Sequence, residues 1–354
     1  VEGCNPVQME PELNLDALAA AVEDEYGCPV QELTFIPTGW VSACYALRAT
    51  DGRRAFLRLC DDRRTDITTA SDPRFYLPLM AQLWSRGILP NLPQPLPTRR
   101  GQFSTRFAGY QLLLLEYIDG QLVGYGRFDD ATLAELARLV GILHRSIAQL
   151  EIEHPLVERF DLPFERDLLD ALQALDRIST RDRAGLRALR ELLLGHRDEA
   201  ERLLARLHAL QARMRADERP MVVCHTDLHG ENLMLAADGT LYMLDWEGAM
   251  IAPPEQDLFF FVGDERFWSL FLPAYEREAG PTRLEPDAFG FYIYRRNLED
   301  VAGFVLRILR YNTTDDEDAP DLNWLTACIA EWPRLQAQVE EVAARLADYR
   351  AQRP

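Results

Sequence analysis

Within residues 221–257 the stretch His225-Thr226-Asp227-Leu228-His229-Gly230-Glu231-Asn232 decides how the rest of the chain is read. The apolar run at 221–224 before it reads as a buried strand. Two further apolar runs, 233–236 and 240–244, flank Asp238-Gly239, and Asp-Gly between such runs is the strongest short-range hairpin signal. With Asp238 and Gly239 as the two central turn residues, Leu235 pairs with Tyr242, Leu233 with Leu244, and Asn232 with Asp245. Directly opposed Cβ atoms in an antiparallel ladder lie roughly 4.5–5.5 Å apart. The hairpin is therefore expected to bring an amide oxygen and a carboxylate to one point just beyond Asp227. Three oxygen-bearing side chains at that lip suggest a hard-cation site with a base beside it.

The composition narrows the partners. The 354 residues carry 38 basic and 57 acidic side chains, a net charge of −19, with 47% hydrophobic and 27% charged residues. Those shares suit a folded globular chain of two modest domains or one two-lobed domain. Phosphate-backbone binding needs a positive footprint, so the charge argues against nucleic acid as a partner, whereas a cationic ligand suits an acidic cleft. No apolar run approaches the ~20 residues of a membrane helix. Residues 1–6 hold neither a basic nor an apolar segment, so no membrane partner and a cytoplasmic location are expected. The six cysteines are widely spaced and read as free, small apolar residues rather than zinc ligands. All the basic residues are arginine; lysine is absent.

Outward from the centre, residues 15–26 have helical spacing with Gly27 as a stop. Residues 33–37, 41–50 and 54–59 read as strands. Between the first two lies Pro37-Thr38-Gly39-Trp40-Val41-Ser42, a glycine loop of a kind that lays N–H groups and a hydroxyl over a phosphate, although most such loops are plain hairpins. On the third strand Arg58 alternates with Leu57 and Leu59, which turns it away from their face. A helix is expected within 72–86, broken or kinked by Pro78, then a proline-rich connector at 90–97 and further sheet at 107–117. Beyond residue 119 the pattern turns helical, with segments at 131–146, 165–178, 183–215 (interrupted near Gly195), 267–278, 289–311 and 324–352. His144 reads as a hydrogen-bonded core histidine, and the acidic run at 315–318 as a solvated loop.

The chemistry follows from residue types. Phosphoryl transfer asks for a positioned divalent cation, a clamp on the phosphates and a carboxylate to orient the acceptor hydroxyl. Magnesium takes hard oxygen ligands, which an Asn amide and an Asp carboxylate supply. The order His-x-Asp-x-x-x-x-Asn, then strand, turn, strand and Asp, corresponds to a kinase-type catalytic loop and metal-binding aspartate.

On these residues, together with Leu244-Asp245-Trp246-Glu247 and Ala252-Pro253-Pro254-Glu255-Gln256-Asp257-Leu258, the chain resembles the aminoglycoside phosphotransferase family of the protein-kinase-like superfamily. Residues 95–102 and 252–258 bring it nearest the spectinomycin phosphotransferase branch. The resemblance implies an α+β, two-lobed protein-kinase-like fold. A small antiparallel β lobe at 1–118 would bind nucleotide, and a mainly helical lobe would occupy 119–354. It implies Asp227 as catalytic base and Asn232 and Asp245 as Mg2+ ligands. Gly39, Ser42, Arg58 and the hinge Glu116, Tyr117 and Ile118 would meet ATP or GTP. His225, His229 and Asp257 would brace the loop. Glu247, Glu299 and Asp300 are candidates to face a small cationic acceptor, an aminoglycoside or aminocyclitol being favoured. A metabolite acceptor such as choline, homoserine or a sugar, or a nucleotide-binding pseudokinase, are the alternatives. Two departures stand out: Arg58 replaces the usual third-strand lysine, and 66–86 lacks the glutamate that usually pairs with it, Asp72 being the nearest acid.

Overall fold

A computed structural model describes residues 10–37, 42–61, 71–124 and 128–352. In chain order the elements are α1 (Leu15–Tyr26), β1 (Val30–Ile36), β2 (Ser42–Ala49), β3 (Arg54–Asp61), α2 (Pro73–Ser85), β4 (Thr105–Phe107), β5 (Tyr110–Glu116), β6 (Gly120–Leu122) and α3 (Asp130–Arg145). They continue with α4 (Glu165–Ala174), α5 (Ala184–Leu194), α6 (Arg197–Ala216), β7 (Val222–Cys224), β8 (Leu233–Ala236), β9 (Leu241–Met243) and β10 (Met250–Ala252). The last are α7 (Glu255–Leu258), α8 (Leu272–Ala279), α9 (Pro286–Leu306) and α10 (Asp315–Ala351). The chain divides into two units. One is Val1–Val157 with Val222–Ala252 and Ser269–Pro281; the other is Glu158–Met221 with Pro253–Trp268 and Thr282–Pro354.

The first unit is built on a five-stranded antiparallel sheet in the order β1-β2-β3-β5-β4. Period-2 alternation sets its core: Ala55, Leu57 and Leu59 of β3 are buried, and they cluster with Leu18 and Val22 of α1. Full burial of each such leucine contributes roughly 1.5–3 kcal/mol. Phe56, Arg58 and Cys60 occupy the opposite face of β3. The proline-rich connector runs along β5: the Leu96 amide donates to the Leu114 carbonyl at 2.9 Å, and the Glu116 amide to Gln94 at 2.8 Å. α2 continues to Ser85 through Pro78, so the expected break does not occur.

The sheet expected at 107–117 forms as β4 and β5, which turn at Ala108 and Gly109, both with positive φ (48° and 85°). Two local readings are corrected. Strands do not end near residue 119, because the short β6 pairs antiparallel with β8, forming a second sheet β6-β8-β9. The β8–β9 register is Leu233 with Met243, Met234 with Tyr242 and Leu235 with Leu241, one residue from the expected pairing. The loop therefore holds three residues, closed by the Ala236 amide donating to Thr240 at 2.9 Å. Gly239 takes φ 86°, the left-handed bulge position of a three-residue hairpin loop.

The rest of the first unit supports that hairpin. α3 packs on α8, and His144 is a buried core residue with Nδ1 3.0 Å from the Tyr275 hydroxyl. Asn91 clasps β9, its Nδ2 donating to the Leu241 carbonyl at 2.9 Å while its own carbonyl accepts from the Met243 amide at 2.9 Å.

The second unit is helical. α9 is its axis, with Phe289, Phe291, Tyr292, Leu298 and Val301 buried on all sides, and it packs against α4, α6, α7 and α10. The acidic run at 315–318 is the first turn of α10, not a loop. Thr314 and Glu317 form a reciprocal capping box there, and acidic residues favour a helix N-terminus. Asp318 is fully buried and accepts from Arg183 Nε at 2.7 Å and Nη2 at 2.9 Å. Among the described residues no helix is long and apolar enough to cross a membrane, and Cys28, Cys44, Cys60, Cys224 and Cys328 are free thiols.

Candidate active site

The loop from His225 to Asn232 sits in the first unit between β7 and β8. His225 is fully buried. Its Nε2 lies 2.7 Å from the Leu244 carbonyl, and its Nδ1 accepts from the Asp227 amide at 3.4 Å. Both bonds are met by one neutral tautomer with the proton on Nε2. The ring also packs edge-on to Trp246 at 4.8 Å, and the Trp246 indole donates to the Met243 carbonyl at 2.8 Å. His225 is thus placed as a brace joining the loop to the end of β9.

Asn232 organises Asp227. Its Nδ2 donates to the Asp227 carbonyl at 2.9 Å and to the carboxylate Oδ2 at 2.8 Å. His229 Nε2 lies 3.3 Å from the same Oδ2. With the amide nitrogen committed to Asp227, the other end of the Asn232 amide is an oxygen.

Thr226 and Asp245 carry the backbone strain. Their φ values are 77° and 58°, and a β-branched residue with positive φ is a genuine outlier. Such strain is retained where the surroundings over-determine it. At Thr226 the hydroxyl donates to the Gly248 carbonyl at 2.9 Å. A Cβ added at Gly248 would sit 2.5 Å from that hydroxyl oxygen, so the glycine is required for the approach. At Asp245 the left-handed turn redirects the chain directly after Leu244, whose amide donates to the Asn232 carbonyl at 2.8 Å.

Arg58 reaches Asp245 and Glu247 from β3. Its Nη1 lies 2.5 Å from Asp245 Oδ1 and its Nη2 2.5 Å from Glu247 Oε2. Burial works against the guanidinium charge, and the two carboxylates outweigh it and hold the group protonated. Burial pushes the Glu247 carboxyl up to about 7; Arg58 opposes that shift while Asp245 and Asp227 add to it. Asp72 does not take the role of ion-pair partner to Arg58. It caps α2 and binds Arg74 Nη2 at 2.7 Å.

The remaining sequence candidates are placed as follows. Ser42, at the start of β2, is buried with its hydroxyl 3.3 Å from Cys60 Sγ. Gly39 lies outside the described residues. Glu116 ends β5, Tyr117 lies under the Arg54 guanidinium at 3.8 Å, and Ile118 follows in the connection to β6. In the second unit Asp257 is fully buried on α7. Glu299 and Asp300 sit on α9, Asp300 accepting from Arg296 Nε at 3.1 Å. Burial raises the Glu299 carboxyl, and Arg295 opposes the shift. Sequence reading missed Thr226, Gly248 and Asn91; only Gly248 carries a signal, as the glycine after the Asp-Trp-Glu run.

A model of the phosphotransferase enzyme family matches residues 32–289. The chain belongs to that family. It is an enzyme, a phosphotransferase with a hydroxyl acceptor. Over 241 residues it is 29% identical to Protein StrN of Streptomyces griseus, covering 65% of this chain and 68% of that one. The fold is similar to that of Spectinomycin Phosphotransferase, APH(9)-Ia, in complex with ADP and spectinomycin. The TM-score is 0.72 at 15% identity, covering 92% of this chain and 99% of the other. It is also similar to choline kinase LicA from Streptococcus pneumoniae, with a TM-score of 0.55, 14% identity and coverage of 90% and 99%. At these identities the structural likenesses establish the kinase-like fold.

Proposed function

We propose that this phosphotransferase moves the terminal phosphoryl group of ATP or GTP to a hydroxyl of a small cationic molecule, an aminocyclitol or aminoglycoside antibiotic foremost. The observation that carries the reading is the Asn232–Asp227 pair, 2.8 Å apart, on the same hairpin as Asp245. Asp227 orients the acceptor hydroxyl and takes its proton, a task worth typically 10²–10⁴ in rate. The hydrogen bond from Asn232 fixes that carboxylate in place, and His229 Nε2 lies 3.3 Å from the same oxygen.

The donor set fits Mg2+. Asn232 offers an amide oxygen, Asp245 a carboxylate, and both are hard ligands. A cationic group, the Arg58 guanidinium, already lies against Asp245 Oδ1. When bound, the ion would neutralise charge developing on the phosphates. Arg58 supplies two donors in a fork suited to phosphate oxygens, on the strand that pairs with β2 and its Ser42. Glu116, Tyr117 and Ile118 would meet the base, and residues 1–118 would form the nucleotide-binding lobe, with 119–354 as the lobe that selects the acceptor.

The net charge of −19 favours a cationic acceptor. The spectinomycin complex of one structural neighbour supports the aminocyclitol class, and the choline kinase neighbour keeps a metabolite amine as the second reading. ATP consumption with a panel of aminocyclitols, aminoglycosides, choline, homoserine and sugars tests the proposal. Turnover dependent on an aminocyclitol or aminoglycoside supports it, and turnover dependent only on a metabolite transfers the assignment to that class.

A further inference from the structure

α2 packs against the Trp246–Gly248 turn yet carries no aspartate or glutamate, so it has no carboxylate to hold Arg58. The partner comes instead from the metal-binding end of the hairpin. One guanidinium bridges Asp245 Oδ1 and Glu247 Oε2, each at 2.5 Å. Its side chain is only 13% exposed, and its Nε is buried without a hydrogen-bond partner among the described residues. All three side chains belong to the first unit.

We infer that Arg58 is a clasp that occupies the Asp245 carboxylate in the nucleotide-free chain and so keeps the metal position closed until phosphates draw the guanidinium away. This rests on the phosphotransfer reading of the site. The argument is one of competition at a single carboxylate. Asp245 Oδ1 faces a fixed positive charge, and a divalent cation at the same oxygen would meet that charge at close range. Glu247 is the positioning residue of the arrangement, because its bond to Nη2 stays available when Nη1 changes partner. Arginine suits this role where lysine does not, since its planar fork holds two carboxylates at once and an ammonium is a single point charge. The replacement of the usual lysine is thereby explained by coupling rather than by composition.

Titration of Mn2+ into the full chain without nucleotide, read from the spectroscopic signal of free Mn2+, tests the clasp. If the closed arrangement dominates by about ten to one, the apparent affinity of wild type is lowered about tenfold relative to an open site. Arg58→Gln is therefore expected to bind Mn2+ about tenfold more tightly than wild type. Arg58→Lys, which preserves the charge and so protects the fold, is expected to fall between them. Equal Mn2+ affinities in wild type and both variants overturn the clasp. A parallel titration of ADP with Mn2+ separates the two readings. Wild type that fails to bind Mn2+-ADP overturns the phosphotransfer reading, whereas intact Mn2+-ADP binding with equal Mn2+ affinities overturns the clasp alone.

Discussion

Asn232 Nδ2 lies 2.8 Å from Asp227 Oδ2 and 2.9 Å from the Asp227 carbonyl, so one amide fixes both the side chain and the backbone of the candidate base. Asn232→Asp replaces that donor with a carboxylate, and two carboxylates at this distance do not both ionise. Loss of one positioning donor in a catalytic site costs about 10²–10³ in kcat. The expected result is a fall of that size with the circular dichroism spectrum unchanged.

Gly248 admits the Thr226 hydroxyl at a distance no side chain tolerates. Gly248→Ala must displace Thr226 from its strained conformation. Overpacking of this kind costs about 1–3 kcal/mol. Urea unfolding should show the loss, and kcat should fall with it because Thr226 directly precedes Asp227.

Glu255 is 2% exposed on α7 and accepts from the Glu285 amide at 2.6 Å. Burial raises its carboxyl from 4.5 to about 7, opposed by that amide. The folded chain therefore holds this proton more tightly than the unfolded chain does. Its contribution is fully present below pH 4.5, falls as pH rises, and levels above about 7. At 1.36 kcal/mol per pKa unit the change is roughly 3 kcal/mol. Glu255→Gln keeps the acceptor oxygen and removes the titration. Its stability relative to wild type should rise by about that amount between pH 5 and 8; parallel profiles would contradict the assignment.

Asp318 and Asp316 belong to the same acidic run but differ in surroundings. Asp318 is buried against Arg183 and Asn312, while Asp316 is exposed. Asp318→Ala is expected to cost about 3 kcal/mol by leaving Arg183 without its carboxylate. Asp316→Ala should stay within about 0.5 kcal/mol. Thermal unfolding of the pair checks the contrast.

The sequence signals were strong where chemistry and local periodicity coincide. The residue order that marks the family, the β3 alternation around Arg58 and the helix at 131–146 were all legible. The hairpin register was not, because Asp-Gly occurs in two-residue and three-residue loops alike, and a slip of one residue changes every pairing. The left-handed turns at Thr226 and Asp245 gave no sign, since neither residue is glycine. β6 has three exposed residues and no alternation to detect. The ion pair between Arg58 and Glu247 joins residues 189 apart, and only the fold brings them together. The capping box at Thr314 is written in the sequence, but four consecutive acids read as readily as a solvated charge run as they do as a helix start.

The central claim is that Asp227 serves phosphoryl transfer to an acceptor hydroxyl. Its most direct test is acceptor-dependent formation of a phosphate monoester, followed by phosphorus NMR with ATP, Mg2+ and the aminocyclitol panel, for wild type and Asp227→Ala. The account predicts a new phosphate ester resonance with wild type and a rate about 10²–10⁴ lower in the variant. Equal rates in the two proteins, or no ester with any acceptor, would contradict it.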